Sequence, residues 1–436
     1  MTRIIKWISL ALALAMLAAC GTTGGAPSAA VTEPVASAEA SEAAPSQEPE
    51  TESQEETVTE DFDTDFLNYV HGQYERENYI ISPLSFRTAL VLAVEGADSE
   101  TRSQLLGAMG FSSAEEMNQW YRSVSESVAF FEEWADRQGK MASEEAEFYP
   151  PGQTPEMPVY AYRVLNSIWN NTATYGAFLP DYVLRVAENY GAEADSVSAD
   201  QITAAVNHWC DEATAGLIPQ ISDDLSECAA VLANAVYLKS PWVSGFSEHM
   251  TEPELFTDID GNAASREMMK AKESYRFYED ADTKLVSIPL NGGLSFVAVL
   301  GDSSDWMAQY AAAEYTDVDL WLPKLDTEST FGQDTLIQYL KDRGAVNAFD
   351  SDTADFSRMA DYPWYIHDIL QKAKIKTDED GLEAAAVTMI ALAAGAAPVT
   401  EEPQYREFHA DVPFAYYVVT TTTQTPLVVF AGQEVR

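Results

Sequence analysis

An alanine-rich segment between two strand-like runs limits what this chain can fold into more than any other feature. Residues 377–398 carry mostly small and aliphatic side chains from Leu382 onward, and helix propensity alone predicts a buried helix for them. The segment nevertheless follows a strand-like run at 366–377 and precedes a turn-rich piece at 398–403 and a further strand. It is too short for a membrane span, which needs about 20 apolar residues, and Glu383 lies at its start. The context therefore favours a segment that belongs to a β-sheet.

The two-residue period of a strand divides this segment into two faces. One face is small and almost wholly apolar and consists of Leu382, Ala384, Ala386, Thr388, Ile390 and Leu392. Such a face suits the crowded centre of a sheet, whereas in an exposed loop the same residues would be an apolar liability. Because the composition fits a sheet interior and the context fits a connecting loop, we predict two alternative locations for this one segment.

Helical and strand-like periods are unevenly distributed along residues 64–436. Helix-like spacing occurs at 65–74, 84–94, 101–109, 114–131, 180–189, 200–213 and 335–342. Strand-like runs occur at 159–169, 229–239, 285–300, 315–322, 366–377 and 414–423. The polar, proline-containing piece at 136–158 is predicted as an exposed excursion. Since helices come first and strands dominate the last half, the order predicts one large α+β domain rather than a doubly wound sheet.

The first twenty residues are typical of an export signal. Arg3 and Lys6 precede the apolar run 8–15, and small residues lead into Cys20. This ending resembles the bacterial lipoprotein box, which implies that Cys20 is acylated and anchors the protein on the extracellular face of the cell membrane. An ordinary secretory signal is the alternative and would leave no anchor. Residues 21–63 contain eleven acidic and no basic residues, and we expect them to form a disordered, self-repelling tether.

The charge balance excludes several classes of protein. The chain carries 25 basic and 70 acidic residues, a net charge of −45, and residues 64–436 alone carry 23 and 59, a net charge of −36. Such a surface repels phosphate backbones and anionic lipid, which argues against nucleic-acid binding and against membrane attachment other than by a lipid anchor. Three cysteines cannot form a disulfide scaffold; Cys210 and Cys228 are either free core thiols or one disulfide.

The sequence offers no specific sign of catalysis, of a metal site or of a cofactor. The five histidines are scattered, and the chain contains no HExxH, GxSxG, GxGxxG or GxxxxGK[ST] pattern. A Ser, His and Asp set assembled from distant positions stays an alternative, but nothing in the spacing points to one. We therefore expect a protein that is not an enzyme.

Several separated motifs resemble those of the serpins, a family of serine protease inhibitors, over essentially all of 64–436. The motifs are NYIISPLS at 78–85, NHW at 207–209, TAGLI at 214–218, VLANAVYLK at 231–239, LPK at 322–324, EDGLEAAA at 379–386 and DVPF at 411–414. The resemblance implies an α+β fold in which helices pack on a large mixed sheet accompanied by smaller sheets, with an exposed reactive loop at about 381–408. It also implies a monomer and a suicide mechanism, in which a serine protease cleaves the loop and is trapped covalently while the loop inserts as a central strand.

The resemblance assigns roles to named residues. The loop hinge comprises Glu379, Gly381, Leu382, Glu383, Ala384, Ala385 and Ala386. The shutter, a polar group at the sheet centre, comprises Ser82, Ser85, Asn234 and Gln371, and the breach above it includes Trp242 and Phe246. Two positions depart from the family: Leu382 stands where Thr or Ser is usual, and Gln371 replaces a histidine but can still donate and accept hydrogen bonds.

The family's spacing places the scissile bond fourteen residues beyond Gly381, between Gly395 and Ala396. Alternatives lie at Ala393, Ala394 and Ala397, because 32 residues separate Gly381 from Pro413 and the loop is longer than usual. All of these residues are Ala or Gly, which fits an elastase-like or subtilisin-like protease with a small or occluded primary pocket. The alternative is a serpin-fold protein that does not inhibit and serves as a binding module or as a protease substrate.

Overall fold

A computed structural model describes residues 61–149, 159–173, 176–228, 230–332, 334–382 and 404–436. Residues Thr59–Arg436 form one compact unit. The helices of the described residues are α1 Phe62–Tyr74, α2 Pro83–Gly96, α3 Ser99–Ala108, α4 Ala114–Ala146, α5 Pro180–Tyr190, α6 Ile202–Ala213, α7 Trp306–Ala312 and α8 Leu336–Asp342. Within these residues, no helix is both long enough and apolar enough to cross a bilayer.

The same residues also form fifteen strands. They are β1 Tyr79–Ile81, β2 Ala161–Asn171, β3 Glu193–Val197, β4 Ala230–Pro241, β5 Glu252–Thr257, β6 Ala263–Glu279, β7 Thr283–Leu290, β8 Leu294–Gly301, β9 Glu314–Pro323, β10 Asp326–Phe331, β11 Asp368–Lys376, β12 Gly381–Leu382, β13 Arg406–His409, β14 Phe414–Thr420 and β15 Val428–Glu434. Helices dominate the first half and strands the second, so the predicted α+β order is confirmed.

These strands form two sheets. One has nine strands in the order β1-β15-β14-β8-β7-β6-β9-β13, with β5 paired to β6. The other has six strands and is mixed, in the order β10-β11-β4-β2-β3, with the two-residue β12 paired to β4. In this six-stranded sheet β11 runs parallel to β4, whereas β2 and β10 run antiparallel to their neighbours β4 and β11.

The two faces of the six-stranded sheet are buried against different parts of the core. Val236 and Leu238 of β4, with Ala373 and Ile375 of β11, face the apolar cluster shared with the nine-stranded sheet. On the opposite face, α6 packs over one end of β4, where Val231, Ala233 and Cys210 belong to one small cluster. Both Cys210 and Cys228 are free thiols, and burial raises the pKa of Cys210 to about 11, so that thiol stays protonated at neutral pH.

Two element predictions were wrong. The polar piece beginning at 136 is exposed or half-buried as far as 149, as predicted, but it is helical as far as Ala146, because Trp134 and Ala135 still pack on the core and the helix continues beyond them. The single strand predicted at 285–300 is a hairpin of β7 and β8. Its turn contains Gly292 and Gly293 with φ of 74° and 81°, a left-handed conformation that glycine adopts without steric cost.

The first helix begins earlier than expected. We placed the start of the folded part at residue 64, whereas α1 starts at Phe62, and both Phe62 and Asp63 are buried. Burial raises the pKa of Asp63 to about 7, which the positive charge of Arg87 only partly opposes. The acidic composition had placed residues 62 and 63 with the tether, although an aromatic side chain there packs against the core.

Candidate functional site

The mixed sheet contains two neighbouring strands that pair over only part of their length. Strands β4 and β11 are in parallel register from Val231 opposite Asp368 to Asn234 opposite Gln371. Beyond that point, residues 235–239 pair only with β2 and residues 372–376 pair only with β10 within the described part of the chain. Each strand therefore presents an unpaired backbone edge to a gap five residues long, and an unpaired edge is a template for another strand.

The hinge enters this gap from its open end. Leu382 is opposite Ser240 of β4 in antiparallel register and forms an antiparallel bridge with Thr377, which directly follows β11. The Leu382 side chain is 3% exposed and belongs to the core cluster that includes Val236 and Ile375. The bulk of Leu382, which departs from the family pattern, is thus already accommodated in the interior.

Gly381 is the residue that allows this close approach. A β-carbon at this position would lie 2.4 Å from the Ser240 carbonyl oxygen and 2.6 Å from the Pro241 α-carbon. Both are backbone atoms that have no room to move away. Only glycine therefore fits between the end of β4 and the turn that leads into β12.

The breach residues hold the backbone of the turn that precedes Gly381. Trp242 donates from its indole nitrogen to the Asp378 carbonyl at 2.9 Å and from its backbone nitrogen to the Asp380 carbonyl at 3.0 Å. The Phe246 amide donates to the Glu379 carbonyl at 2.8 Å, and its ring packs edge-on against Trp242. These contacts fix the direction in which the chain leaves the breach.

Glu379 is the charged anchor of the hinge. Its carboxylate lies 2.8 Å from Lys324 Nζ, and Oε1 accepts a hydrogen bond from the Thr251 hydroxyl at 2.7 Å. Burial alone would raise the pKa of Glu379, but the hydrogen bonds from Lys324 and Thr251 outweigh it, so the pKa is lowered. The sequence pointed to Lys324 through the LPK motif but gave no sign of Thr251.

Two further acids flank Glu379 in the same turn. Burial raises the pKa of Asp378, although its Oδ1 accepts hydrogen bonds from the amides of Asp380 and Gly381 at 3.0 and 3.2 Å. Burial also raises the pKa of Asp380, and the negative charges of Asp378 and Glu248 add to the effect. The turn therefore holds three acidic side chains, and among the described residues Lys324 is the one cation that forms an ion pair with them.

The shutter residues lie around the last paired position of β4 and β11, next to the gap. The Gln371 side chain accepts from the Ser82 amide at 3.1 Å and donates to the Ser82 carbonyl at 2.9 Å. Ser82 caps α2 by accepting from the Ser85 amide at 3.0 Å, and its hydroxyl donates to the Val429 carbonyl at 2.5 Å. Gln371 thus supplies both a donor and an acceptor, as the sequence suggested for a replacement of histidine.

Asn234 belongs to the same polar group but does not bond to Gln371. Its amide nitrogen donates to the Thr88 hydroxyl at 3.1 Å and to the Asn166 side-chain oxygen. Its own oxygen is buried and has no hydrogen-bond partner in the described structure, nor has the Asn166 amide nitrogen. Neither Thr88 nor Asn166 was predicted, because a polar residue inside a strand or helix pattern gives no sign of its distant partner.

The remaining predicted site residues lie outside the described residues. These are Cys20 and, in the loop, Glu383, Ala384, Ala385, Ala386, Ala393, Ala394, Gly395, Ala396 and Ala397. Their flanks are described: the chain leaves at Leu382 inside the mixed sheet and is described again from Gln404, shortly before β13 on the nine-stranded sheet. Among the described residues, no group of three or more His, Cys, Asp or Glu side chains is arranged to hold a metal ion.

The site thus consists of a mixed sheet in which β4 and β11 pair over only part of their length, with a hinge at the open end of the gap. Comparison with known proteins identifies the family to which a chain with this architecture belongs. The chain matches the model of the family described as Serpin (serine protease inhibitor) over residues 57–435. The protein therefore belongs to the serpin family, as the sequence motifs suggested.

Relatives and solved structures agree with this assignment. The chain is 25% identical over 374 residues to the human leukocyte elastase inhibitor, covering 78% of this chain and 89% of that protein. It is 23% identical over 396 residues to an uncharacterized serpin-like protein of Methanosarcina mazei, covering 86% and 84%. The native-state structure of the thermophilic serpin Tengpin is similar with a TM-score of 0.68 and 25% identity over 86% of this chain and 92% of that chain.

Proposed function

We propose that this protein inhibits serine proteases by inserting its cleaved loop into the gap between β4 and β11. The observation that carries this proposal is the position of Leu382, which already lies opposite Ser240 on one side and Thr377 on the other. A strand that continues from Leu382 in the same antiparallel register enters the gap between two unpaired backbone edges. Each backbone hydrogen bond gained contributes about 0.5–1.5 kcal/mol.

The register gives this strand a defined length. If residue 382 is opposite Ser240 and Thr377, residue 391 is opposite Val231 and Asp368, where the existing β4 to β11 pairing begins. Ten residues at about 3.3 Å each span about 33 Å. The residues up to 387 meet unpaired edges, whereas 388–391 replace the four existing pairs between β4 and β11. The native form is then maintained by a kinetic barrier, because this pairing must open before insertion is complete.

For the target we propose an elastase-like or subtilisin-like serine protease that cleaves between Gly395 and Ala396. The small residues between Ala393 and Ala397 fit a small or occluded primary pocket. The similarity to a protein named leukocyte elastase inhibitor supports an elastase-like target. Introducing Arg at each position of this window in turn, and asking which variant makes trypsin a target, locates the scissile bond.

A denaturing gel after mixing with pancreatic or neutrophil elastase tests the proposed inhibition. We expect a complex of protein and protease that survives SDS, because the acyl-enzyme is trapped before hydrolysis. Cleavage of the loop without such a complex contradicts the proposal. It would favour the second candidate, a serpin-fold protein that does not inhibit and acts as a binding module or substrate. Leu382 and Gln371, the two departures from the family pattern, are the observations that favour this second candidate.

We also propose that Cys20 carries a lipid that anchors the protein on the extracellular face of a bacterial membrane. The support is the sequence at 1–20 and the acidic, cation-free composition of 21–63. Expression of the full chain in a bacterium with labelled palmitate tests this. Label should be incorporated into the wild type and lost in Cys20→Ala, and an unlabelled, secreted wild type would contradict the anchor.

A further inference from the structure

The position next to Leu382 in the gap is flanked by two lysines. Because Leu382 is opposite Ser240 and Thr377, a strand that continued in the same register would place its next residue opposite Lys239 on β4 and Lys376 at the end of β11. Side chains alternate along a strand, so this position faces away from the buried side on which Leu382 lies. Lys239 is half-buried and Lys376 is exposed, which agrees with that alternation.

Neither lysine has an ion-pair partner in the described part of the chain. The neighbouring lysines of β11 differ: Lys372 lies 2.8 Å and Lys374 3.5 Å from the carboxylate of Glu328 on β10. Lys376 is opposite Asp326, which instead lies 4.0 Å from Lys374. On the other side of the gap, Lys239 is opposite Ala161 of β2, which carries no charge. Among the described residues, these two cations thus have no ion-pair partner, although the protein has a large negative net charge.

We propose that Lys239 and Lys376 form a receiving site for the carboxylate of Glu383 and set the register in which the loop enters the sheet. The inference rests on the proposed function, since it concerns the inserted strand. Glu383 lies outside the described residues, but the chain leaves the described structure one residue earlier, between the two strands that carry the lysines. Opposite charges directly across from each other stabilise a strand pair, whereas like charges destabilise it.

The charge also specifies the register. With neighbouring strands about 4.8 Å apart, the two lysines lie about 9.6 Å apart across an inserted strand, and a carboxylate midway reaches both. A one-residue slip would turn Glu383 toward the apolar cluster that holds Leu382, where an unpaired carboxylate is costly. The single acid in the first half of an apolar segment therefore has a defined place in the inserted sheet.

The experiment uses the full chain and measures how many molecules are cleaved for each elastase molecule trapped. We expect Glu383→Gln to raise the ratio of cleaved to trapped inhibitor, by a factor between about 1.4 and 5 for each lysine that no longer faces a carboxylate. Glu383→Lys should raise the ratio further, because it places a third positive charge between the two lysines. Adding Lys239→Glu and Lys376→Glu to Glu383→Lys should restore the ratio toward the wild-type value. The differences should shrink as salt increases, because the site is partly exposed.

Lys140→Glu is the matched control, because Lys140 is exposed and lies on α4, which is neither of the strands that border the gap. It should leave the ratio unchanged and should not rescue Glu383→Lys. Thermal unfolding of each uncut variant establishes that it is folded. If the wild type traps elastase and Glu383→Lys gives the same ratio at low salt, the lysine site is wrong while the proposed function stands.

The thermal midpoint of the loop-cleaved protein gives a second measurement that needs no trapped protease. We expect cleavage to raise the midpoint in the wild type and to raise it less in Glu383→Lys. An equal rise in both proteins overturns the lysine site alone. A wild type that forms no SDS-resistant complex and gains no heat resistance on cleavage overturns insertion, and the receiving site with it.

Discussion

Gln371 lies directly opposite Asn234 across the parallel pair of β11 and β4, and this is the last paired position before the two strands part. The two side chains do not bond to each other: Gln371 engages Ser82, and Asn234 engages Thr88 and Asn166. The two strands therefore have no direct side-chain bond at this position, and each side chain bonds instead to α2, Gln371 to its N-cap Ser82 and Asn234 to Thr88. Such an arrangement lets the strands separate without breaking a side-chain bond between them.

Gln371→Leu should destabilise the native protein. The substitution removes the acceptor of the Ser82 amide, which belongs to a buried residue, and one of two donors to the Ser82 carbonyl, which still accepts from the Phe86 amide. A buried polar group left without a partner costs about 1–3 kcal/mol. Denaturant unfolding should show this loss, and Gln371→His, which retains a donor and an acceptor, should lose less. Gln338→Leu on the exposed side of α8 is the control and should change stability little. If Gln371→Leu is as stable as the wild type, the role given to Gln371 is wrong.

Ala386→Arg should convert the inhibitor into a substrate. In the register set by Leu382, residue 386 is opposite Val236 and Ala373, both buried in the core cluster. A charged side chain there has no partner and would stop the entering strand. Ala385→Glu is the control, because in the same register position 385 would be opposite Lys374 on the other side of the sheet, where a carboxylate has a cation to pair with. Elastase should cleave the Ala386 variant without forming an SDS-resistant complex and should still be trapped by the Ala385 variant; equal trapping by both would exclude the proposed register.

Glu379→Gln should loosen the hinge. The change removes the ion pair with Lys324 while it keeps an acceptor for the Thr251 hydroxyl, and it leaves the Lys324 ammonium without its partner. A hydrogen bond to a charged group contributes about 1.5–3 kcal/mol, and the partial exposure of Lys324 favours the lower end of that range. The thermal midpoint should fall, and loop insertion without protease should become faster. Glu188→Gln on the exposed side of α5 serves as control.

The extent to which sequence predicted this structure differs between elements and contacts. Long periodic segments such as α2 and β4 were located to within a few residues, because their apolar spacing is set by the core they face. Strands β5, β6 and β10 were among those missed, since they are largely exposed and their polar residues hide the alternation. Strand β15 was missed too, although all of its residues are buried.

The contacts that define the site were not predictable from local patterns. Thr251 reaches Glu379 across a separation of 128 residues, and Thr88 reaches Asn234 across 146. Nothing in the sequence around a threonine indicates a partner that distant. The partial pairing of β4 and β11 was equally hidden, because the mostly apolar run of β4 and the alternating pattern of β11 are the same whether or not the strands pair along their whole length.

The stabilising contribution of Glu379 should disappear in acid. Because its pKa is lowered in the folded protein, this contribution is fully present above the unfolded value of about 4.3 and is lost as the pH falls through the lower folded value. The difference in thermal midpoint between wild type and Glu379→Gln should therefore stay constant from neutral pH to about pH 5 and shrink below about pH 4. A difference that persists unchanged well below that range would mean that the charge of Glu379 does not anchor the hinge.

Asp380→Asn should have the opposite sign at neutral pH. The pKa of Asp380 is raised in the folded protein by burial and by the charges of Asp378 and Glu248, so its ionised form opposes folding at any pH above that raised value. Removing the charge should therefore raise the thermal midpoint at neutral pH. As the pH falls from the raised value to the unfolded value of about 3.9, wild-type Asp380 becomes protonated and the difference should vanish. A variant less stable than wild type at neutral pH would show that the Asp380 carboxylate is held by a favourable contact, and the crowding of negative charge in the hinge turn would then not destabilise it.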